Sequence, residues 1–475
     1  MQYSIVNYKT VKENSDFRID SDCFVLLDEF RKKYPKNENE IFLLDENYIK
    51  IIDGDRGKNY PNGNDFQKEG YCVFLNTSNV LQNGLELSHC QYITKEKDAS
   101  LGGGKLQKND IVFTTRGTIG NVGIYNNFIG EENLRINSGM IIFRLKNILP
   151  EYFFVLLVSD YFKKQIKIYS SGSVQSQIPI HAIKQLKIPI FSQTFQNKIL
   201  EIENQFSYFL DQSKSLYSQA EQLLLSELGL LDWKPKHTLA FVKNFSDTKQ
   251  TERIDAEYFQ PKYEEIIDAV KKYEGGFDEL GNLIKIKDKN FTPDEKKQYK
   301  YIELSNISAN GEISGYLESF GNELPSRARR EVVKGDVVVS SIEGSLGSIA
   351  LITENWTNAL CSSGFFVANS DKINSETLLV LLKTKIGQMQ LKKGCKGTIL
   401  TAINKDELSK IVLPKIGSKT QEQIKEKITE MYQTKKLSKS LLEIAKRGVE
   451  MAIEKDEPEA EKWINGELDK LEIKF

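Results

Sequence analysis

The residues that most often carry chemistry in proteins are scattered in this 475-residue sequence. Its three histidines, His89, His181 and His237, lack the spacing that would bring them to one metal ion. The five cysteines include no Cys-x-x-Cys pair, which favours reduced thiols in a cytosolic protein over a metal or disulfide framework. Neither a GxxxxGK[ST] phosphate loop nor a GxSxG nucleophile elbow is present. The sequence therefore does not predict catalysis by this chain.

The stretch Gly-Gly-Gly-Lys at residues 102–105 comes nearest to a phosphate-binding loop. It precedes a predicted strand and does not open a helix after one, so a flexible turn explains it better. Adenine-methyltransferase motifs of the Asn-Pro-Pro-Tyr type and nuclease carboxylate motifs are absent as well. We expect no cofactor and no metal in this chain.

One glycine-punctuated loop, residues 114–120, has the residue types for contacting DNA. Thr115 and Thr118 offer hydroxyl groups, and Arg116 can donate two hydrogen bonds to guanine. A tight turn built on the glycines is an equally good explanation. The corresponding stretch 343–347 holds Ser345 but no arginine, which weakens base contact as a role shared by both stretches.

Three further segments are candidates for contacting DNA. The segments 169–177 and 392–398 are rich in hydroxyl and amide groups or in lysine, and residues 326–330 form the densest basic cluster. Solvated loops and an ordinary exposed basic face are the alternatives. The candidate side chains in these segments are Ser173, Gln175, Gln177, Lys393, Lys396, Thr398, Arg327, Arg329 and Arg330.

The formal net charge of the chain is −1. A protein that grips nucleic acid alone is usually basic, so this balance favours a binder that shares its grip with another subunit. No apolar run near the start resembles a signal peptide, and charged residues interrupt the most apolar region, 139–158. We expect a cytoplasmic protein without membrane contact.

The sequence repeats itself in order. Three segments in the first half recur in the second: 18–24 as 253–259, 74–80 as 301–307, and 108–113 as 334–339. Later matches keep a constant spacing of 225 residues: Gly139 with Gly364, Gly172 with Gly397, Pro189 with Pro414, and Gln196 with Gln421. The pattern indicates a tandem internal duplication, with convergent similarity of two domains as the alternative. We call the two halves the first copy and the second copy.

Each copy has the pattern of an α/β module followed by one long helix. The predicted strands lie at 110–115 and 336–341 and near Pro189 and Pro414, and the predicted helices at 151–168 and 375–392. After each proline, apolar residues alternate at spacings of four and three, with Ser213 and Lys435 as polar exceptions. We expect the two long helices to pair with each other, the alternative being ordinary amphipathic surface helices. The predicted core of the pair is Ile199, Ile202, Phe206, Phe209, Leu216, Ile424, Ile428, Met431, Leu442 and Ala445.

The predicted domain boundaries follow the duplication. They are residues 1–190 for the first module, 191–232 for the first long helix, 233–415 for the second module, 416–453 for the second long helix, and 454–475 for an acidic tail or short terminal helix.

These features together resemble the specificity subunit of type I restriction–modification systems. The resemblance rests on the duplicated order of a strand–glycine loop–strand unit, a later glycine-containing loop, a Leu/Ile-x-x-Pro close and a coiled-coil helix. Residues 255–263, Asp-Ala-Glu-Tyr-Phe-Gln-Pro-Lys-Tyr, are also similar to the openings of target recognition domains in that family. The resemblance covers about Arg18 to Ala452.

The resemblance implies two tandem α/β (α+β) target recognition domains, each reading one half of a bipartite, asymmetric double-stranded DNA site. It also implies that the long helices pair as an antiparallel coiled coil, which separates the domains and docks two DNA methyltransferase subunits. A translocating restriction subunit would join the complex, and S-adenosylmethionine, ATP and Mg would belong to the partners. This chain would be a non-catalytic component of defence against phage.

Three other functions stay open at this point. A fused nucleic-acid enzyme is disfavoured by the missing catalytic motifs. A protein-binding adaptor and a restriction-inhibiting decoy could be built on the same duplicated scaffold, although a net charge of −1 gives a decoy little support.

Overall fold

The computed structural model describes residues 21–35, 40–87, 90–126, 133–170, 177–287, 289–308, 310–397 and 401–473. The chain forms two compact units. Unit 1 consists of Met1–Phe209 and Lys436–Phe475, and unit 2 consists of Leu210–Lys435. Each long helix contributes one part to each unit.

Unit 1 contains the sheets of the first copy. Its strands are β1 Glu40–Phe42, β2 Ile49–Asp53, β3 Cys72–Leu75, β4 Val80–Leu81, β5 Gly84–Leu85, β6 Gln91–Ile93, β7 Ile111–Thr114, β8 Val122–Ile124, β9 Leu134–Ile136, β10 Met140–Leu145 and β11 Lys187–Pro189. Its helices are α1 Ser21–Lys33, α2 Lys95–Ser100, α3 Pro150–Val158, α4 Asp160–Tyr169, α5 Ile180–Ile183 and the first part of α6 Gln193–Glu227.

Unit 2 contains the sheets of the second copy. Its helices are α7 Phe245–Thr251, α8 Pro261–Lys271, α9 Leu280–Leu283, α10 Ser375–Lys383, α11 Lys385–Gly394, α12 Lys405–Ser409 and the first part of α13 Ser418–Glu454. Its strands are β12 Phe277–Glu279, β13 Lys285–Ile286, β14 Gln298–Ile302, β15 Leu317–Phe320, β16 Ala328–Glu331, β17 Val337–Ser340, β18 Ile349–Leu351, β19 Leu360–Ser362, β20 Phe365–Asn369, β21 Cys395–Lys396, β22 Ala402–Ile403 and β23 Val412–Pro414.

The main sheet of each unit has the same strand order. It runs β2-β10-β7-β8 in unit 1 and β13-β20-β17-β18 in unit 2, with antiparallel neighbours throughout. A parallel pair accompanies each sheet, β3 with β9 and β14 with β19. Strands β7 and β17 are buried along their whole length, as expected for the β-branched and aromatic residues of a central strand. The predicted fold class, a duplicated α/β (α+β) module with long helices, is confirmed.

The helices predicted over 151–168 and 375–392 are each broken in the middle. Ser159 and Thr384 have extended backbone, with ψ of 160° and 168°, and separate α3 from α4 and α10 from α11. Both hydroxyl groups donate to a carbonyl in the preceding turn, Ser159 Oγ to Leu156 O at 2.6 Å and Thr384 Oγ1 to Leu381 O at 2.9 Å. Ser159 Oγ also accepts from Phe162 N at 3.3 Å and so caps α4, whereas Thr384 makes no side-chain cap bond to α11. Apolar spacing alone does not predict these breaks, because they depend on hydroxyl groups that bond to the backbone.

In unit 1 the two long helices run antiparallel. Ser438 Oγ on α13 donates to Phe206 O on α6 at 3.0 Å. Further along α13, a side chain at Gly448 would approach Ile199, which lies earlier on α6. Increasing position on one helix therefore meets decreasing position on the other. The predicted core residues of this part are buried except for Phe209, which is half-buried.

In unit 2 the remaining parts of the two helices share one apolar cluster. It includes Leu216 of α6 with Ile424, Ile428 and Met431 of α13. The polar exception Lys435 is accommodated by an ion pair, with its Nζ 2.5 Å from a Glu312 carboxylate oxygen.

The acid-rich C-terminal segment is mostly helical and is not a solvated tail. Helix α14, Glu457–Lys470, starts with Asp456 accepting a hydrogen bond from Glu459 N at 2.8 Å. Its apolar residues Ala460, Ile464 and Leu468 are buried. They recur every four residues, a spacing that the surrounding glutamates obscured in the sequence.

No described helix is both long and apolar enough to cross a membrane. No cluster of three or more His, Cys, Asp or Glu side chains that could hold a metal ion occurs in the described parts of the chain.

Candidate DNA interface

The two glycine-punctuated loops are anchored by the same hydrogen bonds. We call residues 115–121 the first reading loop and residues 341–348 the second reading loop. In unit 1, Thr115 N and Oγ1 both donate to Gly139 O, at 2.9 and 3.0 Å. In unit 2, Ser341 N and Oγ both donate to Gly364 O, at 2.9 and 2.8 Å. The anchor is thus conserved between the copies, down to the hydroxyl group.

The next residue of each loop forms a β-bridge to the segment before the last helix of the module. Arg116 bridges to Gln177 in unit 1, and Ile342 bridges to Ala402 in unit 2. Ile178 N donates to Thr115 O at 3.1 Å, and its counterpart Ile403 N makes the matching bond at 2.8 Å. The same backbone position therefore holds arginine in one copy and isoleucine in the other.

The Arg116 side chain is exposed, and no hydrogen bond or ion pair to it occurs among the described residues. A second arginine, Arg56, lies next to the turn that anchors the first reading loop, where it donates to Ser138 O at 3.1 Å. Arg56 also pairs with Asp53 at 3.1 Å. Burial raises the pKa of Asp53, and Arg56 and Arg116 oppose this effect. Sequence reasoning missed Arg56, which lies in the part of the copy whose length is not shared and carries no motif.

Hydroxyl groups shape the interior of each reading loop. Thr118 is exposed, and its carbonyl accepts a hydrogen bond from Thr114 Oγ1. Ser345 is half-buried, with its Oγ 3.0 Å from Ser340 Oγ and 3.3 Å from Ile342 O. The side chain of Ser345 thus serves the turn, whereas Thr118 leaves its own hydroxyl at the surface.

Below the loops, a buried glutamine amide joins the same elements in each unit. Gln165 of α4 accepts from Lys187 N and donates to Lys187 O, both at 2.9 Å. Gln390 of α11 makes the same pair of bonds to Val412, at 2.8 and 2.9 Å. We call these the amide clamps. They hold a helix to the last strand, so the frame under both reading loops is built alike.

The predicted basic cluster lies on edge strand β16. Arg327 is exposed, Arg329 and Arg330 are half-buried, and a bulge interrupts the pairing between Ala328 and Arg330. Arg327 O accepts from Ser363 N at 2.7 Å, which places this residue beside the turn that anchors the second reading loop.

The counterpart of this cluster in unit 1 is the glycine stretch 102–104. Leu106 N donates to Leu134 O at 3.0 Å, and its counterpart Val332 N donates to Ala359 O at 3.1 Å. Counting back from Leu106 and Val332 aligns Gly102–Gly104 with Ala328–Arg330. One copy therefore has no side chains where the other has two arginines.

An ion pair fixes the glycine stretch. Arg135 Nε donates to Asp98 Oδ1 at 2.7 Å, and Lys105 Nζ donates to Asp98 Oδ2 at 2.7 Å. Burial raises the pKa of Asp98, but the hydrogen bonds from Lys105 and Arg135 outweigh it and hold that pKa below its ordinary value. In unit 2 the buried Leu360 takes the place of Arg135.

The remaining candidates divide into two groups. Gln177 is exposed beside Arg116. The lysines contact neighbours within unit 2: Lys393 lies 5.1 Å from the ring centre of Tyr258, and Lys396 Nζ is 3.2 Å from Glu407 Oε1. Burial lowers the pKa of Lys393. Ser173, Gln175 and Thr398 lie outside the described residues.

A comparison with known families matches part of the first copy. Residues 49–222 match the family described as the type I restriction modification DNA specificity domain. This span is similar to that family. It includes the first reading loop, the first amide clamp and most of α6. The resemblance inferred from the sequence is thereby confirmed over this span, and the family description assigns to it DNA specificity rather than a reaction.

Solved structures give weaker likenesses over more of the chain. The S subunit of a type I restriction-modification system from M. genitalium is 15% identical, covers 89% of this chain and 98% of its own, and has a TM-score of 0.38. The HsdS subunit from Thermoanaerobacter tengcongensis is 14% identical, covers 90% of this chain and 99% of its own, and has a TM-score of 0.31. At these values the likenesses carry no argument about function. No curated protein matches the sequence.

Proposed function

We propose that the whole chain is the specificity subunit of a type I restriction–modification system and reads a bipartite, asymmetric DNA site. The observation that carries this proposal is the shared anchor of the two reading loops with different side chains above it. Thr115 and Ser341 make the same bonds, yet the next residue is Arg116 in one copy and Ile342 in the other. Two modules with one frame and unlike surfaces suit a target whose halves differ in sequence.

The chemistry of the two surfaces supports different bases. An unpaired arginine can bond N7 and O6 of guanine in the major groove, whereas an apolar side chain suits the thymine methyl group. Arg56, Arg327 and backbone groups of the loops are the proposed phosphate contacts, which set register without reading sequence.

The long helices are proposed to set the distance between the half-sites. Helix α6 has 35 residues and so is about 52 Å long at about 1.5 Å per residue. One turn of duplex is about 34 Å. In this proposal, residues 191–232 and 416–453 act as spacers between recognition domains at 1–190 and 233–415.

Methyltransferase subunits, two in number, and a restriction subunit are the proposed partners. They would supply S-adenosylmethionine, ATP and Mg chemistry together with basic surface, which fits the net charge of −1 on this chain.

The direct test is methylome sequencing of cells with and without this gene. The proposal expects a methylated motif with two unlike specific halves to disappear with the gene. Retention of every methylated motif in the deletion strain, in a host whose methyltransferase genes are intact, would rule the proposal out.

The spacer role has its own test. Seven residues inserted in α6 after Phe209 and seven in α13 after Lys435 add about 10 Å to both helices, or about 3 base pairs. The expected result is the same two half-sites with a longer gap. Substituting seven exposed residues without changing helix length is the control, and an unchanged gap in the insertion variant would contradict the spacer role.

A further inference from the structure

Unit 1 contains a basic cavity whose lining includes no residue of the first reading loop. It has a volume of about 490 Å³ and lies between strands β2 and β10 and the glycine stretch Gly102–Gly104. The cationic side chains on its wall are Lys50, Lys105, Arg135 and Arg144. A cavity lined by four cations concentrates positive potential.

The charges in the wall are only partly neutralised. Asp98 forms ion pairs with both Arg135 and Lys105, and Asp110 forms one with Arg144 at 2.7 Å. Both carboxylates are nearly inaccessible, with 6% and 2% of their side chains exposed, so they lie beneath the cations and not at the surface of the cavity. The Lys50 side chain is exposed and has no ion pair or hydrogen bond among the described residues. Asp55 is a third carboxylate at the edge of the cavity, where it accepts from Gly102 N at 2.6 Å. The Arg135 side chain is only 6% exposed, so the positive charge that is open to solvent comes mainly from Lys50 and Lys105.

The glycines keep the cavity open. A Cβ at Gly102 would come no closer than 3.6 Å to Asp55, so a side chain there would have room to extend. Gly104 has a φ of +80°, a backbone conformation that favours glycine. Their carbonyls and N–H groups also brace the wall, because Gly103 O accepts from Arg135 and Gly102 N donates to Asp55 Oδ2 at 2.6 Å.

Unit 2 lacks this arrangement at the equivalent positions. Lys285 pairs with Asn369 in the strand register as Lys50 pairs with Arg144, but Lys285 is neutralised by Asp371. Glu331 stands in place of Lys105, and Leu360 in place of Arg135.

We propose that the unit 1 cavity binds one phosphate group, and that its source is the backbone of the DNA that this chain reads. The DNA source rests on the proposed function; the phosphate site does not. The first copy meets the backbone with a cavity where the second copy presents the arginines of β16. The two copies thus contact the same polyanion by different means at one place in the frame.

The test compares Lys50→Glu with the matched variant Lys285→Glu in the full chain. Both change a strand lysine at equivalent positions by the same charge, and circular dichroism and thermal unfolding establish that each is folded. Binding to a 40-base-pair mixed-sequence duplex is measured by fluorescence anisotropy over a series of KCl concentrations. Lys50→Glu is expected to lower affinity about tenfold at 0.1 M salt and to reduce the slope of log K against log salt by about 0.9, the value for one phosphate contact. Lys285→Glu is expected to leave the slope unchanged.

A second arm separates the two sources of phosphate. The unfolding temperature of each protein is compared in inorganic phosphate and in chloride at equal ionic strength. Phosphate-dependent stabilisation that Lys50→Glu abolishes, together with an unchanged DNA slope, would overturn the DNA source. The site itself is overturned if Lys50→Glu behaves like Lys285→Glu in both arms. Failure of the unaltered chain to bind any duplex would count against the proposed function, and the phosphate arm would still decide the site.

Discussion

The two reading loops carry different side chains on frames that are built alike. The frames agree in their hydrogen bonds: both have a hydroxyl anchor to glycine, a bridge to a late segment and an amide clamp. The surfaces disagree at the same positions, with Arg116 against Ile342 and Gly102–Gly104 against the arginines of β16. The two copies thus share the bonds of the frame and differ in the residues that the frame carries. This is the pattern expected when one scaffold serves two targets.

The largest expected effect concerns the buried ion pair between Asp98 and Arg135, which has no counterpart at Leu360 in unit 2. Asp98→Ala leaves Arg135 buried without its carboxylate, so unit 1 should lose about 3–5 kcal/mol of stability while unit 2 is unaffected. Denaturant unfolding followed by hydrogen exchange of peptides from each unit measures both. A loss below about 1 kcal/mol, or an equal loss in both units, would contradict the ion pair as a feature of the first copy.

The same aspartate predicts a difference in acid sensitivity. The pKa of Asp98 is lowered in the folded protein, so its stabilisation is present above the ordinary value of 3.8 and is lost as pH falls through the lowered pKa. Unit 1 should therefore lose stability in acid by a mechanism that Asp98→Ala removes.

The amide clamps offer a test of equality. Gln165→Ala and Gln390→Ala each leave a buried N–H and a carbonyl without partners, and each should cost about 1–3 kcal/mol in its own unit. Denaturant midpoints, read unit by unit through hydrogen exchange, give the two losses. If one clamp proved dispensable and the other essential, the two frames would not be equivalent in energy.

A smaller effect sharpens the contrast under the second reading loop. Lys383 Nζ donates to Gly347 O at 2.7 Å, whereas Val158 holds the equivalent place in unit 1. Burial lowers the pKa of Lys383 to about 8. Because the unfolded chain binds that proton up to a pKa of about 10.5, unit 2 should gain about 1–2 kcal/mol between pH 8 and 10.5. Stability curves of the unaltered chain and Lys383→Met check this, and a gain that persists in Lys383→Met would assign it to another group.

The smallest expected effect concerns the exposed arginine of the basic cluster. Arg327→Ala should reduce the salt slope of duplex binding by about 0.9 without changing which sequence is preferred, as for one phosphate contact. Anisotropy titrations with the motif identified by methylome sequencing and with a scrambled duplex distinguish the two effects. A changed preference would make Arg327 a base-reading residue.

The sequence predicted the frame of each copy better than the side chains that the frame carries. The constant spacing of 225 residues was visible because Gln196 and Gln421 make the same bond, each accepting from a backbone N–H, of Leu149 and of Asn374. Pro189 and Pro414 end β11 and β23 as predicted. Such positions repeat because packing restricts them to one residue type.

Other features left no repeated signal. The relation of Gly102–Gly104 to the β16 cluster involves no shared residue and appears only through backbone pairing. Arg56 and Lys50 are single basic residues in a segment of unshared length. The prediction that Arg116, Gln177 and the other candidates contact DNA stays a prediction, because side-chain exposure shows access and not the occupant.

The central claim, one frame with two separate reading surfaces, is tested most directly by the methylated motif of cells carrying Arg116→Ala. Removing one bidentate contact should cost about 1–3 kcal/mol of discrimination at a single base. The account predicts a motif relaxed at one position of one half-site, with the other half-site and the gap unchanged. Changes in both half-sites, or no change in either, would contradict it.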